Sequence, residues 1–151
     1  MFYTVGEMAK LLGVPASTLR YYDKEGLLPF VERSSGGIRM FKDQDYEWLK
    51  IIECMKKAGM PIKDIKEYLE LTLRGDETIH QRLELFQKQK QLLQEQMASL
   101  QRTLDVLDYK CWYYETAEAA GTVDAPQNMP LEKVPEKYKA IRRQLSDVPK
   151  V

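Results

Sequence analysis

Apolar residues Val5, Met8, Ala9 and Leu12 recur at three- and four-residue spacing, which places them on one helix face, and Gly13 closes the run. Thr4 and Glu7 stand at capping-box spacing at its start, so each side chain can satisfy an orphan backbone donor. A second helix is expected from about Pro15 to Glu25, stopped by Gly26. Two short helices joined this tightly predict a helix-turn-helix. Val31 and Arg33 then alternate, Ser34-Ser35-Gly36-Gly37 makes a turn, and Ile38-Arg39-Met40-Phe41 follows. The glycines permit positive φ, so this is a hairpin signal, and a hairpin directly after a helix-turn-helix is a wing. A third helix from Asp43 to Gly59 turns Trp48, Ile51, Ile52 and Met55 inward. A fourth has Pro61 near its start, Gly75 past its end, and Ile62, Ile65, Leu69 and Leu73 as its buried stripe.

From Glu77 the period changes. Ile79, Leu83, Phe86, Lys90, Leu93, Met97, Leu100, Leu104, Leu107, Cys111 and Tyr114 step by four and three, with Lys90 the polar interruption. This is a heptad seam with no glycine or proline in it, and a helix of ~40 residues would run ~60 Å. A single apolar stripe on an otherwise polar helix needs a partner. No second long heptad stands in the chain, so the simplest partner is another copy. After Gly121 the stretch TVDAPQNMP reads as a linker. A short helix with Val134, Tyr138, Ile141 and Leu145 on one side follows, and the last residues read as frayed. The predicted organisation is mainly α. Residues 1–75 form a winged helix-turn-helix with two linker helices, 76–120 a dimerisation helix, and 121–151 a tail that serves as an effector region.

Composition adjusts this picture in two places. Net charge is zero over 151 residues, which by itself argues against a nucleic-acid partner. Residues 1–42, however, carry Lys10, Arg20, Lys24, Arg33, Arg39 and Lys42 against Glu7, Asp23, Glu25 and Glu32, a local net of +2. A local patch, not the total, decides whether phosphate is attracted. No apolar run reaches the ~18 residues of a membrane span, and MFYTVGEMAK is not a signal peptide. The two cysteines, Cys54 and Cys111, make no disulfide framework. A cytoplasmic protein without a membrane partner is expected.

The stretches TVGEMAKLLGVPASTLRYYDKEGLLP (Thr4 to Pro29), RSSGGIRMF (Arg33 to Phe41) and the Ala58-Gly59-Met60 turn resemble the MerR family of bacterial transcription regulators. The resemblance is close over residues 3–75 and one of kind along the long helix. One departure is Ile38, which stands before the wing arginine where the family usually has an aromatic residue. Ser17, Thr18, Arg20 and Tyr21 offer donors suited to phosphate oxygens, and an arginine can also read guanine bidentately. Tyr22 is grouped with Tyr21 as a DNA contact. Arg33 and Arg39 are expected to reach phosphate or minor groove from the wing. Lys56 corresponds to a backbone-contacting position of the family. The resemblance further implies an antiparallel coiled coil that joins two copies, with Leu83, Phe86, Leu93, Met97, Leu100, Leu104 and Leu107 in its seam. It implies a palindromic promoter on double-stranded DNA, distorted in response to an effector, so that RNA polymerase is reached through promoter shape.

The effector is the open part of this reading. Family members that sense metals carry several thiolates around the dimer helix. Here Cys111 has no second cysteine in the loop after it, so no metal site and no cofactor is expected. Cys111, Trp112, Tyr113 and Tyr114 read either as packing against a partner's DNA-binding domain or as the wall of an aromatic effector pocket for a small molecule. IIECMKKAGM resembles a branch of the family in which a lone cysteine at the place of Cys54 is associated with response to aldehydes and other electrophiles. The bland alternative is a buried, inert Cys54. A reading from another class, a coiled-coil interaction adaptor without DNA binding, stays open. An enzyme is not expected: the sequence offers no paired carboxylates, no phosphate loop and no nucleophile–base set.

Overall fold

The helix α1 (Val5–Leu12) begins at Thr4, whose backbone N–H donates to Glu7 Oε2 at 2.8 Å, while the Glu7 N–H donates back to Thr4 Oγ1 at 3.3 Å. The expected reciprocal cap is present. It ends at Gly13, whose φ of 70° lets the chain reverse into α2 (Ala16–Lys24) within three residues. These elements belong to a computed structural model that describes residues 1–146. The chain divides into two compact units, Met1–Leu93 and Gln94 onward. After α2 the first unit continues with β2 (Glu32–Arg33), β3 (Arg39–Lys42), α3 (Asp43–Lys57), α4 (Ile62–Leu73) and a 3-10 turn at Asp76–Thr78. It also holds the first turns of α5 (Ile79–Ala120).

The hairpin is present, and it carries a strand that periodicity did not reveal. β1 (Phe2–Tyr3) pairs antiparallel with β3, giving a sheet of order β1-β3-β2. Two residues are too few to show an alternating pattern. Across β2 and β3 the register sets Glu32 opposite Met40 and Arg33 opposite Arg39. Met8, Leu19, Tyr22, Leu27, Phe41, Leu49, Ile52 and Ile65 fill the core between the helices and the sheet. On α3 the expected inward face is present: Ile52 and Met55 are buried, and Trp48 and Ile51 pack partly buried against the same core, with Leu49 buried beside them. One buried-face expectation needs correction. On α4 Leu71 is buried and Leu73 is 69 % exposed, because the helix ends there and its last turn leaves the core. Asp45 is buried too, and accepts the Lys42 backbone N–H at 2.7 Å, which caps α3. An aromatic ladder, Phe30–Trp48–Tyr68–Phe86, carries packing from the base of the wing to the first turns of α5. Phe86 meets Tyr68 edge-on at 5.0 Å, and Gln89 Nε2 donates to the Ala58 carbonyl at 2.7 Å.

The second unit contains the rest of α5, α6 (Asp124–Gln127), a 3-10 turn at Leu131–Lys133 and α7 (Glu136–Ser146). The stretch expected to be a linker is thus partly helical, and Pro126 is buried in it. Tyr109, Val134 and Tyr138 form the core of this unit, with Trp112, Tyr113, Met129 and Ile141 against them. Of the four residues placed on one side of the tail helix, Leu145 is exposed near its end. The expected fraying of the last residues falls on 147–151, outside the described residues.

The seam residues of α5 are largely bare. Leu83 and Leu93 in the first unit and Met97, Leu100, Leu104 and Leu107 in the second are exposed, Leu100 at 70 %. Among the described residues no helix is long and apolar enough to cross a membrane. Truncating a buried core residue should separate cleanly from truncating the bare end of α4. Ile65→Ala is expected to cost about 2–5 kcal/mol and Leu73→Ala less than about 0.5 kcal/mol, read from urea midpoints.

Candidate nucleic-acid interface

Leu19 and Tyr22 point into the core, and this rotates the rest of α2 outward. Ser17, Arg20 and Tyr21 are exposed and Thr18 is half-buried. Among the described residues no carboxylate pairs with Arg20 or Lys24, so their charges are available to an outside anion. Tyr22 does not join this face. It is 1 % exposed, and its O–H donates to Glu53 Oε1 on α3. Burial first, then the Glu53 carboxylate, pushes its phenol well above the ordinary tyrosine range. Its expected role as a DNA contact is therefore corrected: the i, i+3 spacing to Leu19 assigns it to packing. Lys56 also sits differently from a free lysine, with its ammonium 5.3 Å from the centre of the Tyr21 ring and 5.0 Å from that of Tyr22.

The wing arginines are not free either. Arg33 donates to Asp23 Oδ2 at 2.7 Å and to the Gly37 carbonyl at 3.2 Å. Arg39 donates to the same Asp23 oxygen. Gly37, at φ 76°, provides the left-handed turn residue that brings the two strands back together. Hydrogen bonding from Arg39, with the charges of both guanidiniums, holds the Asp23 carboxyl below its ordinary range. Lys42 pairs with Glu32 on the neighbouring strand. Ile38 is exposed at the wing tip. Asp23 and Glu53 were not singled out from sequence. A signal for Asp23 lay in the hairpin register, since two arginines placed opposite each other are unfavourable and a nearby carboxylate offsets them.

The second candidate region lies at the end of α5. Cys111, Tyr114, Glu115, Ala117, Glu118, Gly121, Thr122 and Val123 line an open groove of about 690 Å³. Trp112 and Tyr113 are not part of it. Trp112 packs 5.4 Å from Tyr138 of this chain's own tail and Tyr113 packs on Tyr109 of α5, so both rings are partly buried within this chain. Cys111 is exposed. Cys54 is exposed as well, which overturns the buried alternative for that thiol. No cluster of three or more potential metal ligands exists among the described residues.

The family described as MerR HTH family regulatory protein matches residues 3–72, and that described as MerR, DNA binding matches residues 46–109. An HTH-type transcriptional regulator of Haemophilus influenzae is 47 % identical over 136 residues, which is 90 % of this chain and 98 % of that protein. The HTH-type transcriptional regulator AdhR of Bacillus subtilis is 38 % identical over 89 residues, 59 % of this chain and 64 % of that protein. Among solved structures, HiNmlR, described as a MerR family regulator lacking the sensor domain and bound to promoter DNA, is 48 % identical with a TM-score of 0.75. The match covers 86 % of this chain and 98 % of that one.

Two substitutions test the local assignments. Tyr22→Phe leaves a half-buried Glu53 carboxylate without its donor and should cost about 1–2 kcal/mol, whereas Tyr21→Phe should be nearly neutral by the same thermal melt. Asp23, with a lowered folded pKa, stabilises the fold above its ordinary value of 3.8 and loses that contribution as pH falls through the folded value. Asp23→Asn should therefore flatten the acid end of the stability profile.

Proposed function

The chain belongs to the MerR family of helix-turn-helix transcription regulators, and we propose that it works as a cytoplasmic homodimer that binds a palindromic promoter element and distorts it in response to an effector. The observation that carries this reading is the pairing of an outward, unneutralised Arg20 on α2 with a long α5 whose apolar stripe is bare. Arg20, Ser17, Thr18 and Tyr21 meet phosphate or base edges, with Arg33 and Arg39 beside them on the wing. Residues 1–75 read the duplex, 76–120 pair with a second copy as an antiparallel coiled coil, and 121–151 shape the effector region. RNA polymerase is reached through promoter shape, not by direct contact. The relative crystallised on promoter DNA supports duplex binding.

A second reading within the same family rests on the exposure of Cys54. Lys50 lies one turn before it and Lys57 one turn after it on α3, so the thiol is accessible and flanked by cations. In this reading Cys54 is the point of covalent attack by an electrophile, and the groove at Cys111 and Tyr114 is the alternative place for a reversible ligand. The relation to AdhR is compatible with either.

Three measurements decide among these readings. Binding to a palindromic duplex should weaken steeply with salt, and Arg20→Ala should lower the log–log slope by about one, as loss of one phosphate contact requires. Salt-insensitive or absent duplex binding would instead favour the interaction adaptor. Leu100→Asp should convert a dimer to a monomer by light scattering and abolish palindrome binding, while leaving the far-ultraviolet spectrum of the N-terminal unit in place. Mass mapping with a small electrophile should find Cys54 modified faster in the folded protein than in the unfolded chain. Equal or slower modification sinks the thiol-sensor reading.

A further inference from the structure

Asp23 is badly placed for its own helix. It lies in the last turn of α2, where the carbonyl end of the helix disfavours an anion. It also sits beside the face that would meet phosphates, where an unpaired carboxylate would repel them. Its surroundings explain its presence. Arg33 and Arg39 lie directly opposite each other in the β2–β3 register, a like-charge pairing that is unfavourable by itself. A single Asp23 oxygen accepts from both. Among the described residues the Arg39 Nε is buried without a hydrogen-bond partner, and Asp23 is the one acceptor that holds this guanidinium, through its Nη2 group. The hairpin's own acid, Glu32, is taken by Lys42.

We propose that Asp23 is a positioning residue of the DNA-reading surface: it ties both wing arginines to the recognition helix, fixing how helix and wing are spaced for a duplex, and withholds one of their two charges from phosphate. This rests on the DNA-binding reading above. The three groups carry a net charge of +1. The arginines therefore act less as free phosphate grips than as a clamp that keeps the wing in register with α2. Removing the carboxylate frees a charge for indiscriminate phosphate binding and at the same time loosens the geometry on which discrimination depends.

The test uses the full chain, a duplex selected by the wild-type protein from a random pool, and a scrambled duplex of equal length. Each is titrated over a series of salt concentrations. For Asp23→Asn the salt slope on the scrambled duplex should steepen by about one, and preference for the selected duplex should fall at least about fivefold. Asp23→Glu, which keeps the carboxylate, should keep the wild-type slope. An unchanged slope and preference in Asp23→Asn, or a steepened slope in Asp23→Glu, overturns the proposal. If Asp23→Asn does not fold, Arg33→Gln on the exposed strand decides. It leaves Arg39 tied to Asp23, so the slope should drop by about one with preference held within about twofold. A fivefold loss of preference there would make Arg33 itself the reader and overturn the clamp. Wild-type protein that prefers no duplex would instead refute the DNA-binding reading on which all of this stands.

Discussion

Tyr22 has almost no freedom. Its ring is packed with Leu19 in the core of the first unit, and its hydroxyl is bound to Glu53 on α3. That one anchored side chain sets the rotation of α2 about its own axis. Arg20 and Tyr21 then face solvent, and Asp23 is carried round to the wing. A rotation of one residue, about 100° on a helix, would bury a guanidinium and expose the core. The candidate face is therefore specified from inside. Burial of an aromatic residue contributes far more than any exposed ion pair on the outer face.

The long helix follows the opposite logic. α5 makes its own backbone hydrogen bonds but leaves its apolar stripe uncovered through Leu83, Leu93, Met97, Leu100, Leu104 and Leu107. Burying one such side chain is worth about 1.5–3 kcal/mol, so several together can meet the entropic cost of association. The end of the helix differs. Trp112 and Tyr113 find their partners in the same chain, on Tyr109 and Tyr138, and Tyr114 and Cys111 remain open. Neighbouring aromatic residues on one helix thus divide between a closed core and an accessible groove, according to the face on which each falls.

Much of the fold was legible because its signals are local. The Thr4–Glu7 cap, the glycine stops, the paired glycines of the wing and the heptad spacing each depend on a few neighbouring residues. What escaped the sequence reading depends on distant partners. β1 is two residues long and exists because β3 is beside it. α6 is one turn whose Pro126 is buried, where proline read alone suggests a loop. Leu73 has the right spacing for the α4 stripe but lies past the edge of the core. In the candidate site the hydroxyls and Arg20 were readable from residue type. Tyr22 was misassigned because adjacent tyrosines look alike until the core assigns them to different faces. Asp23 counted only as a negative charge until the hairpin register showed what it holds.

Phe86 has a double position. It falls on the heptad stripe of α5, and its ring also sits edge-on against Tyr68 of α4, while one turn later Gln89 is bound to the carbonyl of Ala58. The leading turns of α5 are thus bolted to the helices that carry the wing. A twist of α5 about its own axis cannot be absorbed at this joint without unseating Tyr68 or breaking the Gln89 bond. The first turns of α5 therefore belong mechanically to the first unit and are not a free tether from it.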